Sequence, residues 1–90
     1  MIAETAVPAF ARGMKLRFDG VRDAWVVLGP ERMFQPDAIA VEVLKLVDGR
    51  QNFGAIVDDL CGRYNAPREV VAGDVSEMLE GLAGKGVVTL

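Results

Sequence analysis

The hydrophobic period of this chain changes once. From Met14 to Asp19 the residues alternate, with Met14, Leu16 and Phe18 on one side and Lys15 and Arg17 on the other, the period of two that a half-buried strand imposes. From Pro36 onward apolar residues recur at intervals of three and four, which gathers them on one face of a helix and scatters them across both faces of a strand. A strand-forming first part is therefore followed by a helical second part. With 90 residues in all, the two must share one core, because a division would leave neither half enough apolar surface to bury.

Local signals refine this order. Asp19-Gly20 marks a turn, and Ala24-Trp25-Val26-Val27-Leu28 is a β-branched, aromatic run of strand length, so the first two strands form a hairpin. Gly29-Pro30 breaks that strand, and Arg32 to Gln35 has room only for a short third strand, expected at a sheet edge. Pro36 suits the first position of a helix and Asp37 its positive end. Ile39, Ala40, Val43, Leu44 and Val47 then follow at helical spacing as far as Asp48-Gly49. Asn52 is an N-cap for a second helix with Phe53, Ile56, Val57, Leu60 and Tyr64 on one face, and Asn65 is suited to end it in the left-handed conformation. Pro67 and Glu69 open a third helix carrying Val71, Val75, Met78, Leu79 and Leu82, which stops at Gly84 and Gly86. Phe53, Leu60, Val75 and Leu82 sit centrally on these stripes and are the expected core. Val87 to Leu90 is a tail or a short strand. Residues 1–12 are expected to form a flexible N-terminal arm, the first eleven lacking a clear period, with Pro8 and Phe10 as the residues to pin it onto the body and the folded domain over 13–90.

Composition bears on function chiefly by exclusion. The formal net charge is −3, so no basic field attracts a phosphate backbone. There is no histidine and one cysteine, Cys61, which leaves neither the usual general base nor a set of zinc ligands; catalysis, a metal and a cofactor are not expected. The N-terminus has no basic start followed by an apolar run, and no apolar stretch is long enough to cross a bilayer, so a cytoplasmic protein is expected.

Few residues are left as candidates for binding. Cys61 lies beside the apolar stripe of the second helix, without a cation one turn before it, and reads as packing. The carboxylates Asp58, Asp59, Glu77 and Glu80 lack the spacing of a calcium loop, and Gly81, Gly84 and Gly86 follow no strand, so they form no phosphate cradle. Met33, Phe34 and Met78 are the adaptable apolar side chains that binding surfaces use. Asp74 flanks the stripe of the third helix, at the shoulder where a groove would begin.

Taken in order, Pro8, Phe10, Gly13, Leu16, Asp19, Arg22, Val27-Leu28-Gly29-Pro30-Glu31, Leu44, Asp48-Gly49, Ile56-Val57, Leu60, Tyr64, Asp74-Val75, Leu79 and Leu82 resemble the D proteins of pyrroloquinoline quinone (PQQ) biosynthesis, the PqqD family. The likeness runs from about Pro8 to Gly86, and it departs at Gln35-Pro36-Asp37 and at Asn52-Phe53. The resemblance implies a winged helix-turn-helix-like α+β fold, a three-stranded antiparallel sheet followed by three helices. It also implies a peptide chaperone, a RiPP recognition element that binds the ribosomal precursor peptide PqqA and presents it to the radical S-adenosylmethionine enzyme PqqE.

The implied mode of binding is strand addition, in which an extended peptide pairs with an open sheet edge. By position, the edge would be Arg32 to Gln35, and the groove beside it would involve Arg32, Met33, Phe34, Val71, Asp74, Val75 and Met78, with Arg32 available to an acidic peptide segment. A monomer is expected. The rival class, a winged-helix DNA-binding regulator, requires a basic recognition helix. Here the third helix sets Glu69, Asp74, Glu77 and Glu80 against Arg68 and Lys85, and the second sets Asp58 and Asp59 against Arg63.

Overall fold

The computed structural model describes residues 1–90. Its elements in chain order are β1 (Ala9–Phe10), β2 (Lys15–Asp19), β3 (Ala24–Gly29), β4 (Arg32–Phe34), α1 (Ala38–Leu44), α2 (Phe53–Tyr64), α3 (Arg68–Gly84) and β5 (Val88–Thr89). β2, β3 and β4 form an antiparallel sheet in that order, so the α+β arrangement of three strands followed by three helices is as the sequence implies. A second, two-stranded ribbon was not expected: β1 pairs antiparallel with β5, Phe10 opposite Val88, and joins the two ends of the chain.

Antiparallel partners share a face, so the register Leu16↔Val27↔Phe34 places these three side chains on the core side of the sheet. Val27 is fully buried there. Phe18 obeys the same alternation yet is 45% exposed, because it lies at the far end of the hairpin, where its ring meets Trp25 edge-on at 5.6 Å instead of entering the core. β4 stops at Phe34, one residue short of the expected Gln35. Pro36, which has no N–H to donate to a ladder, follows at once.

The helices begin and end for local reasons. Asp37 is the N-cap of α1, its carboxylate accepting from the Ala40 N–H at 2.8 Å; Pro36 therefore lies before the cap, not at the first helical position. The helix closes at Leu44, well before Asp48-Gly49. Val47 keeps the helical spacing but reaches the core from the following turn, as the N–H of Leu46 and of Val47 bond to carbonyls three residues back. α2 is capped by Asn52, whose side chain accepts from Ala55 N–H, and ends at Asn65 with φ 50° and ψ 46°. α3 ends in a Schellman turn: Gly86, at φ +76°, donates to Ala83 O, and Val87 donates to Leu82 O. The turn aims the chain into β5.

One core joins sheet, helices and both ends of the chain. Val27, Phe53, Ile56, Val57, Leu60, Val75 and Leu79 lie in a single apolar cluster with Ile2, Met14, Val87 and Val88. Phe53, Leu60 and Val75 are thus core as expected, whereas Leu82 is only half-buried at its edge.

Residues 1–12 are packed against the body, unlike the loose arm expected from their lack of a period. Their carbonyls complete α2, whose first N–H groups have no partner inside the helix: Phe53 N–H bonds to Ala6 O at 2.7 Å and Gly54 N–H to Glu4 O at 3.0 Å. Gly54 also leaves room for the Glu4 carboxylate, which a Cβ there would meet at 2.6 Å and displace, while the Glu4 carbonyl would lie at 3.4 Å. Ile2 is buried, and its N–H donates to the hydroxyl of buried Ser76, which in turn donates to Glu80. Arg68 closes the contact with two bonds to the Glu4 carboxylate and one to Asp58.

Leu60→Ala is expected to lower stability by about 2–5 kcal/mol, the range for truncating a buried leucine; a denaturant midpoint equal to that of the parent would contradict its place in the core. The Arg68 guanidinium holds the Glu4 carboxyl below its ordinary value of 4.5. A group depressed in the folded state contributes stability above its ordinary pKa and loses it as pH falls through the folded value. Acidification from about pH 6 to about pH 3 should therefore loosen the arm first. Amide exchange at Phe53 and Gly54 should rise before exchange in the middle of α2, and Arg68→Gln should produce the same order at neutral pH.

Candidate functional site

Which backbone groups of β4 are free follows from the register. The turn between β3 and β4 has two central residues, Pro30 and Glu31, the latter at φ 60°, so Gly29↔Arg32 closes the hairpin as a hydrogen-bonded pair. Alternation then makes Leu28↔Met33 a non-bonded pair and Val27↔Phe34 a bonded one. β3 shows the complementary pattern toward β2: the four-residue turn after Asp19 closes on Asp19↔Ala24, which directs Ala24, Val26 and Leu28 to β2 and leaves Val27 and Gly29 for β4. The N–H and C=O of Met33 therefore point away from the sheet. β4 has no neighbour on that side, and no turn, loop or side-chain hydrogen bond reaches Met33 from there. This is an open edge, one residue pair long at its centre.

The side chains of β4 divide accordingly. Phe34 and Arg32 lie on the core side, and Phe34 packs against the core cluster. Met33, 45% exposed, lies on the other face beside Leu28. Arg32 is anchored, because its guanidinium donates to Lys85 O at 2.7 Å, a neutral acceptor that leaves its charge without a counter-ion. It thereby ties the start of β4 to the C-terminal end of α3.

The helices leave a cleft of about 170 Å³ lined by Ile39 and Val43 of α1, Leu60 and Tyr64 of α2, and Val71, Asp74 and Val75 of α3. Asp74 is its one polar lining residue. Val75, only 5% exposed, forms floor more than wall, while Ile39 at 72% and Tyr64 at 52% stand open at the rim. A second, shallower concavity continues along α3 past Asp74, Met78, Leu82 and Lys85. Asp74 borders both.

The sequence-derived residues are thus brought together in two groups. Val71, Asp74, Val75 and Met78 share one flank of α3, and Arg32, Met33 and Phe34 form the edge strand; the strand lines neither concavity and meets α3 through the Arg32 bond to Lys85. Sequence reasoning did not find Ile39 and Tyr64. Their spacing assigns them to the buried stripes of their helices, and the only local signals otherwise are the place of Ile39 in the first turn of a short helix and the polar tip of the tyrosine. No group of histidine, cysteine and carboxylate side chains has the arrangement of a metal site. No helix is long and apolar enough to cross a membrane.

Comparison with known proteins places this architecture. The family model described as "Coenzyme PQQ synthesis protein D (PqqD)" matches residues 24–88, from the start of β3 to β5. A "PqqA binding protein" of Rhodopseudomonas palustris (strain BisB5) is 48% identical over 98% of this chain and 86% of its own. The solution structure of the PqqD truncation of Methylobacterium extorquens PqqCD, described as a functional, stand-alone RiPP recognition element, superposes with a TM-score of 0.80 at 43% identity. It covers all of this chain and 96% of its own. The crystal structure of PqqD from Xanthomonas campestris gives a TM-score of 0.60 at 33% identity, with both chains covered completely. Sequence likeness across the sheet, the helices and the terminal ribbon, with the same fold in two solved structures, establishes that this chain belongs to the PqqD family.

Proposed function

We propose that this chain binds the ribosomally made precursor peptide PqqA in PQQ biosynthesis, acting as a monomer without a cofactor, and presents it to the radical S-adenosylmethionine enzyme PqqE. The observation that carries the reading is the outward N–H and C=O of Met33 on an unpaired edge, in a strand that Arg32 ties to the C-terminal end of α3. An extended peptide added there gains main-chain hydrogen bonds from the strand, and every second side chain turns toward the helices. The names carried by its relatives, PqqA binding protein and RiPP recognition element, support the same reading. The chemistry then belongs to the partner enzyme. This chain has no histidine to serve as a general base and a single cysteine, so its contribution is to bind and position.

The role of each side chain follows from its place. Met33 offers the ladder groups, Phe34 holds the strand against the core, and Arg32 fixes the strand to α3. Val71, Val75 and Met78 supply the apolar wall, together with Ile39 and Tyr64 of the other helices. Val43 and Leu60 close its base.

Calorimetric titration with synthetic PqqA tests the reading. Met33→Pro removes the outward donor and leaves the bonds between β3 and β4 intact, so binding should weaken by about tenfold or more, while Met33→Ala changes it little. Phe34→Pro would instead break the ladder to Val27 and unsettle the fold. Ile39→Asp, at an exposed position, should also weaken binding. A folded Met33→Pro protein that binds as tightly as the parent would exclude strand addition at β4. Cross-linking of PqqA by this chain alone, seen as a change in peptide mass, would overturn the non-catalytic role.

A further inference from the structure

The polarity of the groove follows from which of its charges are already paired. Arg32, on the edge strand itself, donates to the neutral Lys85 O and keeps its charge, but it lines neither concavity. Arg68 at the start of α3 is taken up by Glu4 and Asp58, and Arg63 on α2 by Asp59 and Glu42. The carboxylates of α3 are not balanced in the same way. Between Arg68 and Gly84 the helix carries Glu69, Asp74, Glu77 and Glu80 against Arg68, and Lys85 follows at its C-cap, at the far end of the shallower concavity from Asp74. Glu80 is near the N-terminal amine, but Asp74 and Glu77 have neither a hydrogen bond nor an ion pair. Asp74 stands where the apolar cleft meets the shallower concavity, and Glu77 lines the latter.

We propose that the groove selects a peptide segment in which an apolar side chain is accompanied by a lysine or arginine two positions away, the apolar group entering the cleft and the cation meeting Asp74. The inference rests on the peptide-binding reading above and settles the sign of its ligand. The cleft is apolar on all sides but one, and that side bears an unpaired carboxylate, which suits a cation on the occupant and disfavours an acidic residue at the same place. In an extended chain, side chains two positions apart lie on the same side at roughly 7 Å, a separation that a long basic side chain spans easily. The acidic partner expected for Arg32 from the sequence would lie elsewhere, because that guanidinium is tied to the Lys85 carbonyl at the C-terminal end of α3 and does not line the Asp74 cleft.

Two peptides and two variants test this. The peptides are synthetic PqqA and a neutralised PqqA, with lysine and arginine replaced by glutamine and the amine acetylated. The variants are Asp74→Asn and Asp74→Lys, both at an exposed position and each checked for an unchanged thermal midpoint. Against unmodified PqqA, Asp74→Asn should weaken binding by about threefold and Asp74→Lys by about tenfold, and the loss should shrink at high salt. Against the neutralised peptide, the parent and Asp74→Lys should bind alike. Equal or tighter binding of PqqA by Asp74→Lys, or a loss of the same size with both peptides, would overturn the inference and leave the peptide-binding reading standing. A parent chain that fails to bind PqqA at all would overturn that reading, and this inference with it.

Discussion

Val27, Ile56, Val57 and Leu79 have no solvent exposure, and the remaining elements are arranged by what they lay over these four side chains. They come from the middle strand and from the two long helices, so sheet, α2 and α3 are fixed to one another at a single point. A domain of this size with a single cysteine and no cluster of metal-ligating side chains has little apolar area to lose, and it recruits both ends of its chain to complete the cover. Ile2 and Pro8 are buried, β1 joins β5, and the arm carbonyls finish the N-terminus of α2. The terminal residues are structural parts of the domain.

The proposed binding surface follows from the same economy. α1 has only seven residues, too few to cover the faces of both longer helices, so Ile39 and Tyr64 remain open and a cleft persists between the three. Pro36 ends β4 early, and nothing in the chain pairs with its far side. Apolar surface and unpaired backbone groups, each a liability when exposed alone, are both left available near α3. Arg32 holds the two together by joining the strand to the Lys85 carbonyl.

Much of this was legible in the sequence where the determinants are local. α2 could be read with both caps, because Asn52, the stripe from Phe53 to Tyr64, and Asn65 all act within one helix. The hairpin and the edge strand followed from turn residues and from Gly29-Pro30. The ribbon β1·β5 left no local signal, since each strand is two residues long and Ala9 and its partner Thr89 lie at opposite ends of the chain. α1 was overextended because Val47 keeps helical spacing after the backbone has left the helix. For the site, the flank Val71, Asp74, Val75 and Met78 was visible as a stripe with a polar shoulder, whereas Ile39 and Tyr64 satisfied a core pattern that tertiary packing leaves uncovered. The occupation of Arg32 depends on a carbonyl 53 positions away, which no local pattern reports.

The most direct test is amide hydrogen exchange, resolved by residue, with and without saturating PqqA. Met33 and Leu16 both sit at non-bonded register positions on opposite edges of the sheet, so their N–H groups both face outward and provide an internal comparison. Strand addition at β4 predicts that the Met33 amide becomes protected in the complex while the Leu16 amide of β2 exchanges as before. Bound peptide with Met33 still exchanging freely, or with protection appearing at Leu16 instead, would contradict it.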